Sequence, residues 1–232
     1  MNFKCGKKKN ATIIIIGIVT VAICITAAFL AAESCGMHYK EQKERVRREG
    51  DRFLIEACEK MNQAVCNYGT ENRIDSMGTT AAMLAFGDDI IYGCNLGDSR
   101  IYRSSSGKFG QISEDHILGR HFLGKAPLTQ YLGMKEEDLQ LVPSVSGYPI
   151  IEGDRYLICS DGITDMLSDG EIADIFTREI STEETVQVLV ERALKKGGRD
   201  NITVILCEIE KQNENWWKRM WHQLKRHEGD IS

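Results

Sequence analysis

The sequence predicts an α+β fold of layered strands flanked by helices. Three observations predict it: successive β-branched apolar runs between residues 79 and 104, a pair of helical segments at 168–176 and 183–196, and a closing apolar run at 202–209. Strands grouped in runs, with helices gathered between them, describe segregated layers rather than alternating βαβ units. The 232 residues, 42% of them hydrophobic, suffice for one sizeable core with appendages. A formal net charge of -5 excludes a general nucleic-acid binder, although Lys and Arg crowd both ends of the chain.

The first segment, 1–10, is basic, and 11–32 carries no charged residue. At ~1.5 Å per residue a helix over that run spans roughly 33 Å, enough for a bilayer, so one transmembrane helix is expected. The alternative is a cleaved signal peptide, for which Lys7, Lys8 and Lys9 would form the charged start. The apolar run is longer than a typical signal core, and no clean small-x-small site precedes Glu33; Glu33 also argues against lipid attachment at Cys35. Lys40, Lys43, Arg45, Arg47, Arg48 and Arg52 after the run outnumber Lys4, Lys7, Lys8 and Lys9 before it, which places the following domain on the cytoplasmic side of a single-pass membrane protein. The eight cysteines show no CxxC pair and no ligand spacing, a pattern of reduced thiols.

Residues 33–52 mix charges of both signs and read as a solvated helical stalk; the domain proper is expected over 53–210. Phe53, Leu54, Ala57, Met61, Ala64 and Val65 recur at helical spacing and predict a packed helix over 53–68, followed by a polar link at 70–75. Strands are expected at 79–86, 90–95 and 99–104, with a turn at Asp88-Asp89 and a hairpin at Gly107, together a β-meander. The stretch 118–131 is irregular, broken by Pro127, and strands resume at 140–145 and 155–160. Ser168 with Glu171 three residues on has capping-box spacing and starts a helix. Val186, Leu189, Val190, Ala193 and Leu194 line one face of the helix at 183–196, which Gly197-Gly198 stops.

Two carboxylates stand at strand tips. Asp161 follows Tyr156-Leu157-Ile158-Cys159-Ser160, and Gly162 lets the backbone turn behind it; Asp200 precedes the run that starts at Ile202. Rigidly held carboxylates at a cleft edge suit hard cations. The plainer reading is a helix cap or turn for Asp161 and an Asx-type turn for Asp200.

Read together, Ser76-Met77-Gly78-Thr79-Thr80, Gly97-Asp98-Ser99-Arg100, the string from Tyr156 through Asp161-Gly162 to Leu167, and Gly197-Gly198-Arg199-Asp200-Asn201-Ile202-Thr203-Val204 resemble the PP2C (PPM) family of metal-dependent protein serine/threonine phosphatases. The resemblance runs from about Met77 to about Glu210. It implies that Asp161 and Asp200 bind Mg²⁺ or Mn²⁺, which activate a water nucleophile and neutralise charge on a phosphoserine or phosphothreonine phosphate. It gives Asp98 and Arg100 structural work, one capping and one pairing. Asp115, in Ser113-Glu114-Asp115-His116, resembles the position from which some bacterial members hold a third, weaker metal; a solvated acidic turn is the alternative.

The family's Asp-Gly-x-Gly-Gly motif, which supplies a bridging carboxylate, and the upstream arginine that holds phosphate have no counterpart in the expected place, where Glu49-Gly50-Asp51-Arg52 lacks the glycines. The layered β-sandwich that the resemblance implies is therefore expected to lack its first strands and to expose sheet edges for a partner, an oligomer mate or a complementing chain. Two functions follow: a membrane-anchored phosphatase with an incomplete site, or a non-catalytic phosphatase-like module that binds a partner or phosphoprotein at the membrane. In the tail, 211–232, Trp216, Trp217, Met220, Trp221 and Leu224 fall on one helical face among Lys218, Arg219, Lys225 and Arg226. That pattern suits an anionic membrane surface, with capping of an open face of the core as the alternative.

Overall fold

The computed structural model describes residues 3–4, 14–17, 38–119, 126–135 and 140–209. Two antiparallel sheets carry the domain. The larger has the order β1 (Phe3–Lys4), β2 (Ile14–Gly17), β9 (Thr203–Glu208), β8 (Arg155–Cys159), β5 (Arg100–Ser105), β6 (Lys108–Gln111). The smaller has the order β3 (Ala81–Phe86), β4 (Ile90–Leu96), β7 (Ser144–Pro149). Side chains alternate across a strand, and the layers follow from that alternation. Tyr156 and Ile158 of β8 meet Ile91, Leu84 and Phe86 of the small sheet. Leu157 and Cys159, one residue out of phase, face α2 (Asp161–Thr164), α3 (Asp169–Phe176) and α4 (Thr182–Lys195) through Ile163, Ile172, Phe176 and Leu189.

The small sheet's other face is covered by α1 (His38–Glu71), one helix kinked at Glu49, where φ is -143° and ψ 48°. Of the expected stalk, 38–52 form the first half of this helix, and Val46 and Gly50 within it are buried. Val46, Gly50, Leu54, Cys58 and Asn62 recur every fourth residue and are all buried, while Glu44, Arg47, Arg48, Arg52 and Glu56 pair with one another along the outer side. Salt bridges at i,i+3 and i,i+4 satisfy those charges locally and leave a narrow inward stripe that composition alone hides.

The hairpin at Gly107 forms as expected: Ser106 and Gly107 take φ of 49° and 77°, the left-handed pair that a two-residue turn requires. The meander does not stay in one sheet. After β4 the chain crosses to the large sheet, turning at Gly97 with φ of 111°. The strand expected at 140–145 lies instead at Ser144–Pro149, paired to β4 with Ile90 opposite Pro149. Pro143 offers no N–H to a ladder, so pairing starts after it.

Among the described residues no helix is long and apolar enough to cross a membrane. Of the run 11–32, Ile14–Gly17 form β2, antiparallel to β9 with Ile14 opposite Leu206 and Gly17 opposite Thr203; the rest of the run lies outside the described residues. A β-branched apolar run suits a buried strand as well as a membrane helix. The large sheet thus does not stop at β9, as expected from the sequence, but continues into β2 and β1. The tail 211–232 also lies outside the described residues.

Candidate active site

The cleft opens at the end of the sandwich where β8 stops, β9 starts and the chain crosses between sheets. It measures about 610 Å³ and is lined by Ser76 and Gly78 to Thr80, by Asp98 and Ser99, by Leu128 and Tyr131, and by Ser160, Asp161, Asp200, Asn201 and Thr203.

Ser160 joins the two strand ends. Its N–H donates to the Thr203 carbonyl at 3.1 Å, its Oγ donates to the Asn201 carbonyl at 3.1 Å, and the same Oγ accepts from the Thr203 N–H at 3.0 Å. Asp161 then opens the first turn of α2. Gly162 lies directly under the Asn201 carbonyl, with no room for a Cβ, so the Asp161 turn rests against the Asp200 loop. Asp200 Oδ1 accepts the N–H of the next residue, Asn201, at 2.7 Å, one residue short of the bond that defines an Asx turn. The fold brings both sequence-predicted aspartates to one cleft.

The opposite wall is held by Gly97 and Thr80. Gly97 donates its N–H to His116 Nδ1 at 3.1 Å, and its carbonyl accepts from the His116 N–H at 3.0 Å and from Asn95 Nδ2 at 3.0 Å. Burial holds the His116 imidazole below its ordinary pKa, with the charges of Glu114 and Asp115 opposing that shift. A Cβ at Gly97 would overlap Thr80, and Thr80 Oγ1 and Ser99 Oγ lie 2.8 Å apart. Thr79 and Leu132 exchange two backbone bonds of 2.9 and 2.8 Å, drawing the loop with Tyr131 onto this wall.

Asp115 is not at the cleft. Both of its carboxylate oxygens accept from Arg100, Oδ1 from Nε at 3.0 Å and Oδ2 from Nη2 at 2.6 Å, and Oδ1 also accepts from Gln111 Nε2 at 2.8 Å. Arg100 does pair, as expected, but with Asp115 and Asp169. Asp98, read as structural, is the third aspartate lining the cleft. The sequence signal for it was the Gly before it, since a positive φ at Gly97 turns the next residue out of the sheet.

Among the described residues no three His, Cys, Asp or Glu side chains come together in an arrangement that holds a metal ion. Asp161 and Asp200 are hard oxygen donors of the kind Mg²⁺ and Mn²⁺ prefer, and the described residues add no third His, Cys, Asp or Glu that completes a metal-holding cluster with them. They would hold such an ion as one part of its ligand set.

The two-sheet sandwich with helices on both outer faces is a fold shared with solved bacterial serine/threonine phosphatases. The family model for protein phosphatase 2C matches residues 22–197, and the chain belongs to that family. It is 32% identical over 166 residues to the protein phosphatase PhpP of Streptococcus pneumoniae, covering 66% of each chain, and so spans just under two thirds of that relative's length. The serine/threonine phosphatase Stp1 of Staphylococcus aureus shares the fold with a TM-score of 0.70 at 22% identity, over 91% of this chain and 88% of that one. The catalytic domain of the phosphatase PstP, solved in complex with two manganese ions, has a TM-score of 0.60 at 21% identity, over 91% of this chain and 96% of that one.

Proposed function

We propose that this chain is a protein serine/threonine phosphatase domain that hydrolyses phosphoester bonds on phosphoproteins with Mg²⁺ or Mn²⁺, held at a membrane by the run 11–32 with its domain on the cytoplasmic side. The observation that carries the catalytic reading is the stapling of Asp161 and Asp200 to one cleft by Ser160 and the Gly162–Asn201 contact. PhpP and the manganese-bound PstP domain support the activity and the metal class by likeness. Divalent ions in such a cleft would supply an activated water nucleophile and offset charge developing on the phosphate. The chain's own contribution is to hold two carboxylates at fixed strand tips and to line the cleft with the hydroxyls of Ser76, Thr79, Thr80 and Ser99.

The matched region starts at residue 22 and takes in Glu33-Ser34-Cys35-Gly36-Met37, directly before α1. Glu33 is the first carboxylate of the chain, at the head of a stretch that keeps one glycine of Asp-Gly-x-Gly-Gly. We assign it the role of the missing third donor. The test is hydrolysis of a phosphothreonine peptide by the full-length protein with added Mn²⁺, against Asp161→Asn, Asp200→Asn and Glu33→Gln. All three variants are expected to abolish turnover. If wild type neither turns over nor binds Mn²⁺ by calorimetry, the second reading takes over: a non-catalytic module that binds a phosphoprotein or partner, favoured by the lack of a three-ligand cluster among the described residues.

Anchoring is supported by the uncharged length of 11–32 and competes with the use of Ile14–Gly17 as β2. Extraction of membranes with alkaline carbonate separates the two: an anchored chain stays in the pellet, and release into the supernatant would overturn the anchor.

A further inference from the structure

The outer face of the small sheet is covered along only part of its length. The helix α1 lies over Met83, Ala85, Tyr92, Cys94 and Val145, and at Gly50 it touches the ring of Tyr92. Beyond that contact Ile90, Gly147, Pro149 and Ile151 form a strip, with Ile90 40% and Ile151 39% exposed. They share a face because Ile90 pairs with Pro149, and Gly147, Pro149 and Ile151 alternate along β7 and its continuation, where the Ile150 N–H donates to the Asp89 carbonyl at 2.8 Å. Acids border the strip: Asp88 and Asp89 in the β3–β4 turn and Glu152 in the β7–β8 turn. Arg47 of α1 is attracted to both aspartates.

We propose that this strip is the docking site of the chain's own segment 211–232, bound as an amphipathic helix. The chain delivers the segment there: Ile209 donates its N–H to the Asp154 carbonyl at 2.8 Å and accepts from the Gly153 N–H at 2.8 Å, two residues from Ile151. Residues 210–215 extend to at most about 20 Å, enough to set Trp216 on the strip. The apolar face of Trp216, Trp217, Met220, Trp221 and Leu224 matches the exposed isoleucines, and Lys218, Arg219, Lys225 and Arg226 match the acidic border. One helix would then complete the layer that α1 begins.

All three tryptophans of the chain lie in this segment, so intrinsic fluorescence reports it alone. The experiment uses full-length protein in neutral-lipid nanodiscs and compares wild type with Ile90→Asp/Ile151→Asp, two exposed positions whose change leaves the core intact. Wild-type emission is expected to be blue-shifted and protected from acrylamide; the double variant is expected to shift red and quench several-fold more, with unchanged far-UV circular dichroism. Equal emission from the two proteins overturns the proposal. Solvent-like wild-type emission that shifts only on adding phosphatidylserine vesicles overturns it in favour of a lipid surface, and a shift that tracks a dimer mass overturns it in favour of a second copy.

Discussion

The Cα of Gly162 packs so closely on the carbonyl oxygen of Asn201 that a Cβ would fall well inside van der Waals contact distance of that oxygen. Both partners are backbone, so no rotamer change relieves the overlap. Gly162→Ala therefore forces α2 away from the Asp200 loop, at an expected cost of about 1–3 kcal/mol. Because Asp161 is the residue before it, the spacing of the two cleft aspartates changes too. Urea unfolding should show a lowered midpoint, and Mn²⁺ calorimetry a weakened or absent heat; a variant with both unchanged would refute the stapling role.

Arg103 and Asp154 form the most buried ion pair among the described residues, with Asp154 1% exposed. The guanidinium Nε donates to Asp154 Oδ2 at 2.8 Å and lies 5.0 Å from the Tyr148 ring centroid and 5.7 Å from that of Tyr156. It ties the β7–β8 turn to β5 in the other sheet. Asp154→Ala leaves the arginine buried without its counter-charge and is expected to cost about 3–5 kcal/mol. Adding Arg103→Met should recover much of that loss, because the penalty belongs to the orphaned charge. Chemical denaturation of both variants decides it, and additive losses would contradict this account.

His116 predicts a pH dependence with a definite sign. Its Nδ1 accepts the Gly97 N–H, which only the neutral ring does, and burial favours the same form. The folded pKa lies below the ordinary value of 6.5, so between the two the unfolded chain binds more protons. This contribution to stability is complete above pH 6.5 and declines as pH falls below it. Thermal melts at pH 7.5 and 5.5 should differ more for wild type than for His116→Asn, whose amide oxygen also accepts the Gly97 N–H but does not titrate. Identical pH responses would exclude His116 as the source.

The parts of the fold that were legible in the sequence are those fixed by neighbours along the chain. Ser168 and Glu171 announced α3, Gly107 announced its hairpin, and Asp161 and Asp200 announced a cleft, since a strand end followed by a turn is a local pattern. What stayed hidden depends on partners far along the chain. The outward-facing charges of α1 cancel in pairs, so its buried stripe at Val46 and Gly50 passed for a stalk. Asp115 resembles a metal-holding position in the sequence, and nothing near it in the chain shows that Arg100 of β5 bonds both of its oxygens. Asp98 looked structural because the glycine before it marks a turn but does not show that the turn crosses between sheets at the cleft. Ile14–Gly17 satisfy the pattern of a strand and of a membrane helix equally, and the strand use shows only through a partner as distant along the chain as β9.

The N-terminus of α3 carries the last prediction. Ser168 and Glu171 close a reciprocal capping box, and Lys196 at the end of α4 bonds the same carboxylate, Nζ to Oε1 at 2.5 Å. Lys196, followed by the Ser168 N–H and hydroxyl, holds the Glu171 carboxyl down at about 2, from an ordinary value of 4.5. A depressed carboxyl makes the folded state bind fewer protons than the unfolded one, so its stabilising effect is complete above 4.5, shrinks as pH falls and is gone below about 2. An NMR titration of the Glu171 side chain should give a midpoint near 2, and one near 4.5 would rule out the network in solution. Lys196→Met should raise that midpoint while leaving the cap in place. Ser168→Ala, which removes the cap itself, should cost about 0.5–2 kcal/mol at neutral pH in a urea melt.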